Sequence, residues 1–109
     1  MKTAHPQLAE GGWFTLTLAE QMGNIGSEVS RVKNWHGRDA TLAEGAFIRA
    51  LELFDLTIRD ARWRRRLKEL LRVREVFCDT MMGGVRYHTT IEDLDRYFLP
   101  FAVTARSKR

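Results

Sequence analysis

Three short motifs mark where helices begin. Thr17-Leu-Ala-Glu20, Thr41-Leu-Ala-Glu44 and Thr89-Thr-Ile-Glu92 each set a threonine three residues before a glutamate. That spacing suits a capping box: the hydroxyl accepts from the backbone N–H three residues on, and the carboxylate reaches back to the first N–H. Each motif opens a run of apolar residues at helical intervals. The first is followed by Leu18, Met22, Ile25, Val29 and Val32, in steps of four and three, and Gly37 ends the helix near Trp35. The second is followed by Leu42, Ala46, Phe47, Ala50, Leu51, Phe54 and Ile58; Leu53 and Leu56 widen this face, which predicts a helix buried on more than one side. The third leads into Ile91, Leu94, Phe98, Phe101, Ala102 and Ala105, with Pro100 among them, so a kink or a break is expected there.

A further helix is predicted between the second and third motifs. Asp60 is its expected N-cap, and Trp63, Leu67, Leu70, Leu71, Phe77, Cys78 and Met81 form its apolar side. Gly83-Gly84 should stop it. No segment alternates in the manner of a strand. Four helices joined by short connections predict an all-α fold, an antiparallel up-down four-helix bundle. The 109 residues suit one domain. Residues 1–13, with Pro6, Gly11 and Gly12, read as a flexible leader, with docking through Trp13 and Phe14 as an alternative, 14–106 as the bundle, and 107–109 as a basic, frayed tail.

The first helix carries a second stripe, of small residues: Ala19, Gly23, Ser27 and Ser30. A glycine inside a helix costs about 1 kcal/mol relative to alanine. Close approach of a neighbouring backbone explains that cost at Gly23 or Gly26; an irregular helix is the alternative. Polar residues also fall into register. Asn24, Glu28 and Arg31 share one face of the first helix. Asp55 sits among apolar neighbours and is expected to pair with Arg59 one turn on, with a buried anchor as the alternative. Arg74 lies on the apolar side of the third helix, in reach of Glu28 or Asp55. Asn24, Glu28, Arg31, Asp55 and Arg74 are therefore read as a polar network that fixes helix register, with a ligand pocket as the competing reading.

Charge is unevenly spread. The chain carries 18 Lys and Arg against 14 Asp and Glu, yet eight of the basic residues fall between Arg59 and Arg74, opposed only by Asp60 and Glu69. On a continuous helix Arg62, Arg65, Arg66 and Arg72 share a face with Glu69, and Arg64 and Lys68 flank it. Clustered cations neutralise phosphates and release counterions, so these six residues are the candidate contacts to RNA or DNA. Two readings stay open at this point: a polyanion surface, or a solvated face whose arginines pair with Glu44, Glu52, Glu92 or Asp95. On the first, replacing Arg62, Arg65 and Arg66 with Gln abolishes binding and leaves helicity intact. Trp63 fits the apolar stripe better than it fits a role in base stacking. The other class considered is a homo-oligomeric interaction or adaptor module, with Trp13, Phe14 and Trp35 as its apolar patch.

Other chemistry finds little support. His5, His36 and His88 form no ligand pair at helical spacing, and no metal or cofactor is expected. No phosphate-binding loop, dinucleotide fingerprint or nucleophile elbow is present. Cys78 has Asp79 beside it, but nothing in the sequence brings His88 to it, and a lone helical cysteine usually packs in a core. Arg86-Tyr-His88 is too tightly spaced for the Arg/His pair of helical ribonucleases. A non-enzymatic protein is expected. One thiol points to a reducing compartment, taken as the cytoplasm. No apolar run approaches the roughly 18 residues of a membrane span, and no signal peptide is evident.

Asn24-Ile-Gly-Ser-Glu-Val-Ser-Arg31 with Trp35, the stretches Arg49 to Ile58 and Arg66 to Asp79, and Tyr97-Phe98 with Phe101-Ala102 together resemble a family of small uncharacterised bacterial helical-bundle proteins. The resemblance spans roughly Leu18 to Arg106. It implies a helical bundle and no assigned activity, and it transfers no catalytic residue. Pro100 departs from the pattern.

Overall fold

The computed structural model describes residues 11–107. Four α-helices pack together: α1 (Leu18–Trp35), α2 (Ala40–Ile58), α3 (Leu67–Met81) and α4 (Ile91–Ser107). A 3-10 turn precedes α1 (Gly12–Thr15), and a second (Ala61–Arg66) leads into α3. Among the described residues there is no strand. No helix among them is long and apolar enough to cross a membrane.

The capping chemistry holds in full at α1. The Thr17 hydroxyl accepts from the N–H of Glu20 at 3.1 Å, and the Glu20 carboxylate accepts from the N–H of Thr17 at 2.9 Å. At α2 the cap is Asp39 instead of Thr41. Asp39 is extended and its carboxylate accepts from the N–H of Leu42, so Thr41 already lies inside the helix. At α4 the box forms one residue later than expected, between Thr90 and Asp93. His88 has a positive φ of 55°, and the Thr89 carbonyl accepts from the Thr80 hydroxyl, which holds Thr89 outside the helix. α4 runs through Pro100 without a break. Pro100 and Arg96, whose carbonyl loses its helical donor there, are both exposed, so water can replace that one bond.

The core is made by Met22, Ile25, Val29 and Val32 of α1, Ala46, Ala50, Leu53, Phe54 and Leu56 of α2, Leu70, Val73 and Phe77 of α3, and Ile91, Leu94 and Phe98 of α4. Phe54 meets Phe77 and Phe98, both at 6.0 Å between ring centroids. Two leucines expected inside are not. Leu42 is 44% exposed and Leu71 47%. In α3 the inward face falls on Leu70, Val73 and Phe77, which turns Leu71 outward.

The end of the expected leader is also corrected. Trp13 is fully buried in the core, as the docking alternative had it, so it belongs neither to a flexible segment nor to a surface patch. The rest of that leader, 1–10, and the last two residues of the expected tail lie outside the described residues; Ser107 is the last residue of α4.

The small-residue stripe of α1 faces α4. A Cβ on Gly26 would stand 2.7 Å from the Phe98 Cβ, and one on Gly23 would stand 3.4 Å from the Ala102 Cα. Ser30 donates to Asp95 at 2.8 Å, and Lys33 pairs with the same carboxylate. The absent side chains leave room for the Phe98 side chain at Gly26 and for the Ala102 backbone at Gly23.

Candidate nucleic-acid interface

The basic stretch does not lie on one helix. Asp60 is extended, and its carboxylate accepts from the N–H of Arg62, which starts a 3-10 turn and not an α-helix. Trp63 departs from helical geometry (φ −102°, ψ 23°), and regular α-helix begins only at Leu67. The cause is tertiary: the Trp63 indole N–H donates to the Gln21 side-chain oxygen of α1 at 2.7 Å. The face predicted on a continuous helix is therefore divided, and its six cations separate into two groups.

Three of the six are tied. Arg62 folds back along the surface, donating to both Asp60 oxygens and to the Leu16 carbonyl at 2.7 Å, with its guanidinium 4.4 Å from the centre of the Trp63 ring. The hydrogen bond from Arg62 is the main reason why the Asp60 carboxyl is held down at about 2; the same bond raises Arg62. Arg66 pairs with Glu69 at 2.9 Å, and Glu69 also accepts from the Tyr97 hydroxyl. The Tyr97 bond, followed by Arg66, lowers Glu69, while burial and then Glu69 raise Tyr97. Arg72 stands 4.0 Å from Glu75. Arg64, Arg65 and Lys68 are exposed and make no ion pair among the described residues. The acids that meet the tied arginines are Asp60, Glu69 and Glu75, not the Glu44, Glu52, Glu92 or Asp95 named from the sequence.

Behind this face lies a buried polar cluster. Gln21 is fully buried, and its amide donates to the Trp13 carbonyl at 2.9 Å and to Asp60 at 3.0 Å while accepting from Trp63. Thr57, also fully buried, accepts from the Trp13 indole N–H at 3.0 Å and donates to the Leu53 carbonyl. Every polar side-chain atom of Gln21 is satisfied, and so is the Thr57 hydroxyl, the condition under which a buried network is rigid. This cluster fixes the 3-10 turn that presents Arg64 and Arg65. Its only sequence signal is the type of residue: Gln21 lies beside Met22 on an apolar stripe, and Thr57 lies among Leu53, Phe54, Leu56 and Ile58.

The network expected of Asn24, Glu28, Arg31, Asp55 and Arg74 is not one unit. Asn24 is exposed and donates within its own helix, to the Glu20 carbonyl. Glu28 is buried and pairs with Arg31 at 2.9 Å and with Arg49 of α2 at 3.1 Å. Asp55 pairs with Arg74 at 2.8 Å, not with Arg59. Arg74 also lies 4.0 Å from the Cys78 sulfur, whose thiol is pushed up by burial. A raised thiol is a poor nucleophile at neutral pH.

Two concavities lie elsewhere on the described surface. One, of about 240 Å³, follows the glycine seam between α1 and α4, along Gly23, Gly26, Ser30, Phe98 and Ala102. The other is lined by His36, Ala40, Ala43, Phe47, Met81 and Met82. Among the described residues no three His, Cys, Asp or Glu side chains come together as a metal site. His5 lies outside those residues. Comparison with family models, with curated proteins and with solved structures finds no match to this chain.

Proposed function

We propose that the chain is a non-enzymatic binding protein that holds nucleic acid by its phosphates, through the second 3-10 turn and the first turn of α3. The observation that supports this most is the presence of Arg64, Arg65 and Lys68, exposed and without an ion pair among the described residues, on a segment anchored from behind by Asp60, Gln21 and Trp63. The alternative read from the sequence had these cations paired with acids of neighbouring helices; among the described residues pairing takes only Arg62, Arg66 and, loosely, Arg72. Anisotropy of labelled RNA and duplex DNA across a salt series tests the reading. With three to five phosphates engaged, log affinity for the duplex should fall against log salt with a slope of about −3 to −4.5. Absence of binding at low salt would refute it.

The helices are read as an antiparallel up-down bundle. Support comes from partners whose numbers fall on one helix as they rise on the other: Gly23 with Ala102 and Ser30 with Asp95, then Phe47 with Phe77 and Asp55 with Arg74. A cytoplasmic setting belongs to the same reading, on the single cysteine of the chain. The likeness to small uncharacterised bacterial helical proteins belongs to the same reading and adds no activity.

A second reading is self-association. Met82 and Val85 are 82% and 78% exposed; Met82 borders the apolar concavity that reaches Phe47, and Trp35 is exposed beside its residue His36. A second copy of this chain would cover them. Met82→Lys with Val85→Lys should then lower the mass seen by sedimentation, with little effect of salt. A monomeric wild type would exclude this reading.

A further inference from the structure

The connection from α3 to α4 is not a loose loop. Gly83 and Gly84 take positive φ values of 109° and 70°, which turn the chain back. The Asp79 carboxylate then accepts from the backbone N–H groups of Arg86, at 3.1 Å, and Tyr87, at 3.0 Å. The Asp79 carbonyl accepts from Gly84, and the Gly84 carbonyl from His88. The latch places Tyr87 against α3. Its ring centre lies 5.6 Å from the Arg72 guanidinium and 5.2 Å from that of Arg86. Glu75 holds Arg86 at 2.8 Å and stands 4.0 Å from Arg72. Both arginine side chains stay largely exposed, at 66% and 70%.

Arg72 ties this cluster to the phosphate face. It lies one helical turn beyond Lys68, roughly 6 Å along the axis, and Lys68 lies three residues beyond Arg65. A nucleic-acid backbone following Arg65, Lys68 and Arg72 arrives beside an aromatic ring framed by two guanidinium groups. An aromatic ring or an arginine plane stacks on a base of any sequence, but only where the base is free of its neighbours in a duplex.

We propose that Tyr87, with Arg72 and Arg86, is a base-stacking platform at the end of the phosphate track, and that the ligand is therefore single-stranded nucleic acid. This rests on the phosphate reading of the Arg64, Arg65 and Lys68 face. Asp79 and Glu75 are positioning residues: one holds the loop, the other holds the arginines.

The test uses the full chain and two fluorescent single strands of equal length and phosphate count, one with thymine bases and one abasic. The thymine strand should bind roughly 5- to 150-fold more tightly than the abasic one, the range of one stacked base. Tyr87→Ala should erase that ratio while leaving affinity for the abasic strand unchanged; Tyr87→Phe should preserve it. Tyr87→Leu, which keeps apolar contact with the loop, should behave as Ala does and serves if Ala disturbs folding. Equal affinity of the wild type for the two strands, or retention of the ratio in Tyr87→Leu, would overturn the stacking platform while leaving the phosphate track in place. Failure of both strands to bind at low salt would remove the track itself, and the platform with it.

Discussion

Among the described residues outside the four helices, Trp13 is the only hydrophobic side chain buried in the core. It is fully buried, its indole N–H donates to Thr57, and its carbonyl accepts from Gln21. Truncation of such a residue costs about 3–5 kcal/mol. Trp13→Ala should therefore lower the urea midpoint sharply, and Trp13→Phe should cost less because it loses mainly the bond to Thr57. Asp60 supplies a pH signature in the same cluster. Its folded value of about 2 lies below the ordinary 3.8, chiefly through the bond from Arg62. A carboxylate depressed on folding contributes stability above its unfolded pKa, and loses it as pH falls toward the folded value. Asp60→Asn should cost about 1–3 kcal/mol at pH 6, with the gap to wild type narrowing as pH is taken from 6 to 3. A gap that does not change with pH would deny the charge its role. Other depressed carboxylates, such as Glu69, remain in both proteins and cancel in the comparison.

At the scale of elements, the seam between α1 and α4 depends on two glycines of different strictness. Alanine at Gly26 would drive a methyl group to 2.7 Å from Phe98, which is itself buried against Phe54 and Tyr97. Overpacking of this kind costs about 1–3 kcal/mol, more than the ~1 kcal/mol that alanine recovers in helix propensity. At Gly23 the contact is 3.4 Å, so alanine should be neutral or slightly stabilising. Thermal melts should rank Gly23→Ala above Gly26→Ala; the reverse order would contradict this packing. The second 3-10 turn has an equivalent division among its arginines. Arg62 is bound to Asp60 and Leu16, so Arg62→Gln should lower stability. Single replacements at Arg64, Arg65 or Lys68 should leave the melting temperature unchanged.

For the whole molecule, what could be read from the sequence was local. Thr17, with its glutamate three residues on, and the four-three spacing of Leu18 to Val32 specify a helix without reference to the rest of the chain, and the stripe through Gly23 announced a close neighbour. The turn at Ala61–Arg66 was out of reach because Trp63 answers to Gln21, a residue 42 positions away. In the same way the docking of Trp13 has no partner in the sequence until Thr57, 44 positions on, is seen to accept its N–H. Spacing carries no information about such partners. The basic stretch was plain from composition, but the division between tied and untied arginines follows from where Asp60 and Glu69 stand in three dimensions. The proposed function rests on that division, and one comparison tests it most directly: binding of a labelled single-stranded oligonucleotide at low salt by wild type and by the combined variant R64Q/R65Q/K68Q, with circular dichroism of both. The account predicts that the variant keeps its helicity and loses at least about tenfold in affinity, roughly half a kcal/mol or more for each lost charge. Equal binding by two equally folded proteins would contradict it.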